Sequence, residues 1–258
     1  MILAADIGNT HTNLALFEAA ELRHHWMLAT ALHRTADEYL VALDRLLDMG
    51  SVVRSQMKGA IVASVVPPLT STWAELAARL VGREHVLIMD AETRTGIENR
   101  YESPHDVGAD RLANAVAAKN IVGCPLIVVD FGTATTLDVV SRDGAYLGGA
   151  ILPGPEMSAE ALYAKTARLP RVSIDDPGRA IGDSTDRSIR SGIFYGTVGA
   201  IDAMIERICA EMGERCAVIA TGGAGRPFAD ASRYITQYDP FLTLRGLNEI
   251  WRMNRERE

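Results

Sequence analysis

Aspartate, glycine and threonine recur at the same spacing in two places along this chain. The first run is Asp6-Ile7-Gly8-Asn9-Thr10-His11-Thr12-Asn13. The second, half a chain further on, is Asp130-Phe131-Gly132-Thr133-Ala134-Thr135-Thr136, and Asp6/Asp130, Gly8/Gly132 and Thr12/Thr136 coincide when the runs are aligned. Residues of this kind in a tight turn can hold phosphate. Glycine lets the backbone approach an anion closely, successive N–H groups form a concave nest of donors, and Thr and Asn add side-chain donors. A carboxylate at the strand end repels phosphate unless a cation stands between them, and Mg²⁺ is held by few carboxylates together with substrate phosphates. The alternative is a pair of ordinary hairpins with polar turns. Repetition, with an aspartate each time, favours a split phosphate site. No Gly-x-x-x-x-Gly-Lys-Ser/Thr run occurs, which excludes a P-loop.

The elements that must position these turns follow from periodicity. Each copy lies between an apolar run (Ile2-Leu3-Ala4-Ala5 or Leu126-Ile127-Val128-Val129) and a second strand-like run, predicting strand, turn, strand. Strands are expected over 2–6, 13–17 and 22–28, then a helix over 36–48 with Thr35 and Glu38 as its capping box. A strand over 59–66 is stopped by Pro67-Pro68. Thr72 and Glu75 then cap a helix ending near Gly82, before a short strand over 86–89. Segment 92–107 lacks apolar periodicity and reads as a functional loop or a crossover. A helix covers 109–121. The second half restarts with strands over 125–130, 136–141 and 145–151, a helix over 155–166 and a loop over 168–184. A long helix over 185–212, a strand over 216–220 and a last helix over 244–254 follow, with Arg252–Glu258 as a solvated tail of mixed sign. Duplicated meanders with alternating helices and strands imply an α/β fold of two lobes, 1–121 and 122–258, facing a shared cleft.

Composition narrows the partners. A net charge of −7 argues against nucleic acid, whose phosphates need a basic surface. Cys124, Cys209 and Cys216 form no C-x-x-C, so neither a disulfide framework nor a zinc site is expected, and a reducing cytoplasm fits. The start of the chain has no basic region ahead of an apolar one, as a signal peptide would. No apolar run reaches the ~18–20 residues of a membrane span. His24 and His25 face opposite sides of a strand and make no metal pair.

In this order the motifs resemble the duplicated ATP-binding fold of the acetate kinase, hexokinase, Hsp70 and actin superfamily, and within it the type III pantothenate kinases. The matching stretches are Asp6–Thr10, Gly108-Ala109-Asp110-Arg111, Asp130–Thr136, Gly148-Gly149-Ala150-Ile151-Leu152-Pro153-Gly154, Ile181-Gly182-Asp183-Ser184-Thr185 and Thr221-Gly222-Gly223. They span nearly the whole chain. The resemblance implies ATP-dependent phosphorylation of pantothenate, the first committed step towards coenzyme A. It implies that Asp6, Ile7, Gly8, Asn9, Thr10, His11, Thr12 and Asn13 cradle ATP, with Asp6 acting on Mg²⁺ through water. Thr133, Gly222 and Gly223 would also contact the nucleotide, and Asp130 would coordinate K⁺ or NH₄⁺. Asp110 corresponds to the proton acceptor. Tyr101, Gly108, Ala109, Asp110, Arg111 and Thr185 would contact pantothenate, Thr185 from the partner subunit of a homodimer with a composite site.

Read from residue types alone, several of these positions have plainer roles. Asp110 is a carboxylate at a helix N-terminus, where the dipole keeps it ionised and a weak base. Arg111 suits an ion pair, Tyr101 a loop anchor, Thr185 a helix N-cap, and His11 a solvent-facing turn. Rival functions are a kinase of the same fold with another acceptor, a non-enzymatic regulator that keeps the nucleotide fold, and a conformational ATPase.

Overall fold

The computed structural model describes residues 1–255. Met1–Ala117 together with the segment from Leu242 onward form one compact unit, and Ala118–Phe241 form a second. The first contains β1 (Ile2–Ile7), β2 (His11–Glu18), β3 (Glu21–Ala29), α1 (Ala36–Met49), β4 (Gly59–Ser64), α2 (Pro67–Val81), β5 (Val86–Ile88) and most of α3 (Ala109–Val122). Its sheet runs β3-β2-β1-β4-β5, with β1 antiparallel to β2 and parallel to β4. Central strands covered on both faces read as unbroken apolar runs, and Leu3, Ala4, Ala5 and Ile7 of β1 are all fully buried. Leu3, Ile7, Leu14 and Leu16 pack with Tyr39, Leu43 and Leu47 of α1 and with Leu69, Trp73 and Leu76 of α2.

The capping box forms as expected. Glu38 N donates to Thr35 Oγ1 at 3.3 Å, and Thr35 N donates back to Glu38 Oε2 at 2.8 Å. Helix α2, however, begins at Pro67 instead of after Thr72. The strand already ends at Ser64, and the two prolines expected to stop it instead open the helix, because the first turn has no acceptor for the N–H that proline lacks.

The second unit contains β6 (Leu126–Phe131), β7 (Ala134–Val140), β8 (Tyr146–Pro153), α4 (Pro155–Lys165), α5 (Thr185–Met212), β9 (Ala217–Thr221), α6 (Arg226–Ala231) and β10 (Gln237–Tyr238). Its sheet runs β10-β9-β6-β7-β8, with β6 antiparallel to β7 and parallel to β9, the connection order of the first sheet repeated. Phe194, Val198, Ile201 and Ile205 of α5 bury the face made by Ile127, Val129, Phe131 and Leu137. Helix α5 occupies the expected residues, but its N-cap is Ser184, whose hydroxyl accepts from Arg187 N at 3.3 Å, and not Thr185.

The last helix, α7 (Leu242–Arg255), belongs to the first unit, whereas a division at residue 121 places it in the second lobe. Its contacts there are close. A β-carbon at Gly59 would overlap the Trp251 ring, and one at Gly246 would overlap the Ala113 carbonyl. Asn248 Nδ2 donates to the Ala19 carbonyl at 2.8 Å, and Thr243 Oγ1 donates to Asn114 Oδ1 at 2.7 Å. The stretch read as a solvated tail is helical through Arg255, whose guanidinium lies 5.1 Å from the centre of the Trp251 ring. Residues 256–258 of that stretch lie outside the described residues. Among the described residues no helix is long and apolar enough to cross a membrane.

Candidate active site

The first turn is built as its composition demands. Strands β1 and β2 pair through Asp6 with Asn13 and Ile7 with Thr12, and Gly8 N donates to the His11 carbonyl at 3.0 Å. Asn9, Thr10 and His11 are exposed at the tip. Thr12 is not: it is fully buried, and its oxygen lies 3.0 Å from Thr30 Oγ1. Thr30, just beyond β3, donates its hydroxyl proton to the Gly8 carbonyl at 2.7 Å and its N–H to the Thr10 carbonyl at 3.0 Å. With that proton spent, the Thr12 hydroxyl is the donor of the Thr12–Thr30 pair. Thr12 therefore sets the shape of the turn instead of reaching out of it. Sequence reading missed Thr30, since only strand register shows that the end of β3 stands against the turn.

The second turn has a different support. Gly132 N donates to the Ala134 carbonyl at 3.2 Å, leaving Gly132 and Thr133 exposed. Gly154, which closes the Gly148–Gly154 run, donates its N–H to the Thr133 carbonyl at 3.2 Å. A β-carbon at 154 would lie 2.6 Å from the Gly132 carbonyl oxygen, so only glycine allows this approach. Asp130 pairs in register with Thr136 on β7 and with Thr221 on β9, placing three oxygen-bearing side chains in one row across the sheet. Beyond β9, Gly222 has φ +99° and sits against Phe131, whose carbonyl carbon would be 2.6 Å from an added β-carbon. Tyr238 Oη donates to the Gly222 carbonyl at 2.6 Å, holding this turn; burial pushes that phenol's pKa up.

Asp110 opens α3 as expected, and its Oδ1 accepts from Arg111 N at 2.8 Å. The helix end was expected to make it a weak base. The balance runs the other way: burial, the largest influence, raises its pKa, against the lowering effects of the Arg111 N–H and the Arg111 charge. Arg111 is itself buried. A cavity of about 760 Å³ in this unit is lined by Val65, Asn99, His105, Val107, Gly108 and Ala109 among others, so much of the aperiodic 92–107 segment forms a wall. Asn99 shapes that wall: its Nδ2 donates to the Pro104 carbonyl at 3.2 Å, and its Oδ1 accepts from Tyr101 N at 3.0 Å. Gly108 and Ala109 are thus brought to one cavity. Thr185 lines a different one, of about 1140 Å³ within the second unit, together with Thr135, Leu152, Lys165 and Ile189.

The donors suit cations that bind oxygen. Among the described residues no three His, Cys, Asp or Glu converge to cage a metal. A divalent ion at Asp6 would therefore be completed by water and phosphate oxygens, which is how Mg²⁺ is usually held. The row around Asp130 offers one carboxylate and two hydroxyls, oxygen donors of the kind that can hold a cation.

A family profile described as "Type III pantothenate kinase" matches residues 2–207. A protein named "Type III pantothenate kinase" from Finegoldia magna is 43% identical over 258 residues, covering 99% of this chain and 98% of that protein. One of the same name from Roseiflexus sp. is 42% identical over 255 residues, covering 99% and 100%. Among solved structures, a Campylobacter jejuni protein named for the Baf family of transcriptional activators superposes with a TM-score of 0.62 at 22% identity, over 98% of this chain and 99% of that one. The ethanolamine utilization protein EutJ of Carboxydothermus hydrogenoformans gives 0.56 at 13% identity, over 96% and 89%. At these identities the structural likeness speaks for the fold, that of the actin-like ATPases and sugar kinases. Near-complete coverage at more than two-fifths identity, with the two Asp-x-Gly turns and the Gly108–Arg111 helix start in place, makes this chain a member of the type III pantothenate kinase family.

Proposed function

We propose that this chain transfers the γ-phosphoryl group of ATP to the primary hydroxyl of pantothenate, giving 4′-phosphopantothenate for coenzyme A synthesis. The observation that carries the chemistry is Asp110. It is a carboxylate of raised basicity, with one oxygen held by the Arg111 N–H, between residues that line a cavity large enough for a small acceptor. Phosphoryl transfer leaves the protein little covalent work, so positioning and charge stabilisation dominate.

In this reading Asp110 accepts the hydroxyl proton and orients the attacking oxygen. At the tip of the Asp6–Asn13 turn Asn9, Thr10 and His11, and in the second turn Thr133, present backbone and side-chain donors to the phosphates of ATP, with Thr12 holding the first turn's shape, and Gly222 and Gly223 lie beside the adenosine. Arg111 supplies a guanidinium for the acceptor's carboxylate, with Tyr101, Gly108 and Ala109 around the acceptor's body. Thr185 serves the acceptor bound by the partner subunit of a homodimer. Asp6 would hold Mg²⁺ through water, and Asp130 would hold K⁺ or NH₄⁺; bound there, the ions neutralise phosphate charge. The enzyme acts in the cytoplasm, and neither nucleic acid nor membrane takes part.

The test is ADP release by the purified protein with ATP, Mg²⁺ and K⁺, with and without pantothenate, followed by product mass. Pantothenate-dependent ADP and a product heavier by one phosphate are expected. Folded protein that releases no ADP in response to pantothenate would refute the acceptor.

A further inference from the structure

Asp138 has no part in the chemistry above, yet its side chain is fully buried in the middle of β7. A buried carboxylate is costly unless hydrogen-bonded. Tyr146 Oη donates to Oδ1 at 2.7 Å, and Thr136 Oγ1 donates to Oδ2 at 3.0 Å. A threonine hydroxyl has a single proton. With that proton directed at Asp138, the Thr136 oxygen can only accept elsewhere. Strand register sets Thr136 directly beside Asp130, on the same face of the sheet, where facing β-carbons stand about 4.5–5.5 Å apart. Thr221 flanks Asp130 on the other side. Alkali cations are held by neutral oxygens that turn lone pairs towards them.

We propose that Thr136 is a second oxygen ligand for the monovalent cation assigned to Asp130, and that Asp138 and Tyr146 are positioning residues that aim its lone pairs. This rests on the reading of Asp130 given above. It adds that a hydroxyl network on β7 and β8 tunes the cation site from behind without touching nucleotide or acceptor.

The experiment compares thermal midpoints of the purified protein with Mg-ADP in KCl and in NaCl at equal ionic strength, beside the K⁺ concentration for half-maximal turnover. Thr136→Val keeps the shape of the side chain and removes its oxygen. It is expected to lose the K⁺-specific rise in midpoint and to raise the half-saturating K⁺ at least about tenfold, as changes around a metal site commonly do. Thr136→Ser restores the oxygen and is expected to restore both. Tyr146→Phe removes only a hydroxyl and should raise half-saturating K⁺ several-fold with the pantothenate KM unchanged, a split that loss of packing would not give. A folded Thr136→Val protein with the wild-type K⁺ response overturns the ligand; an unchanged K⁺ response in Tyr146→Phe overturns the positioning role. Asp130→Ala separates the two levels. If it keeps the K⁺ response, the Asp130 assignment fails and this inference with it. If it loses the response while Thr136→Val keeps it, only the present inference fails.

Discussion

Gly108 leaves open the space that the Asp110 carboxylate fills: a β-carbon at 108 would overlap Oδ1 of Asp110. The side chain folds back over the start of α3, where the Arg111 N–H meets it. Gly108→Ala is therefore expected to displace the carboxylate and lower kcat with little effect on ATP binding. Steady-state kinetics with a nucleotide-binding titration check this.

Replacing the carboxylate itself separates activity from stability. Asp110→Asn is expected to lower turnover by about 10²–10⁴-fold, the usual worth of a general base, with ATP binding retained. The folded-state pKa lies above the ordinary carboxylate value because of burial. The folded protein thus holds this proton more tightly than the unfolded chain, so stability falls as pH rises from the ordinary carboxylate value through the raised one. Asp110→Asn lacks that fall and is expected to melt at or above the wild-type temperature at neutral pH. In the wild type, kcat/KM should drop on the acid side as Asp110 protonates. Melting curves of both proteins across pH test the sign; a steeper alkaline loss in the variant would contradict it.

Thr30 holds the first turn from behind through the Gly8 and Thr10 backbone. Thr30→Val keeps the volume but strips the Gly8 carbonyl and the Thr12 hydroxyl of their partner. A lost bond of this kind costs about 0.5–1.5 kcal/mol. The expected outcome is a several-fold higher KM for ATP with an unchanged KM for pantothenate, measured by varying each substrate in turn.

Gly154 does the same for the second turn by close approach instead of by side chain. Gly154→Ala would push on the Gly132 and Thr133 carbonyls. We expect at least a tenfold loss of ATP affinity, on the order of 1.4 kcal/mol, in a protein whose circular dichroism is unchanged. Wild-type affinity would show that the turn relaxes freely.

The docking of α7 is testable apart from catalysis. Gly59→Ala would meet the Trp251 ring, and overpacking of this kind costs about 1–3 kcal/mol. Denaturant melts should show the loss, and Trp251→Leu in the same chain should recover part of it by making room.

Local order carried much of this protein into view. Apolar runs bounded by Gly, Pro and Asn locate the strands, the Thr35–Glu38 pair locates α1, and the paired Asp-x-Gly runs locate the two tight turns between strands. These signals are short-range: each depends on residues a few positions apart, so the sequence displays them directly. The part of the chain that α7 packs against, the support of the first turn by Thr30, the row formed by Thr136, Asp130 and Thr221, and the raised basicity of Asp110 were not legible. Each depends on residues far apart in the chain that strand register and burial bring together. A helix start can be anticipated from position alone, but the desolvation that outweighs the Arg111 N–H and charge at Asp110 exists only once the surrounding chain has packed.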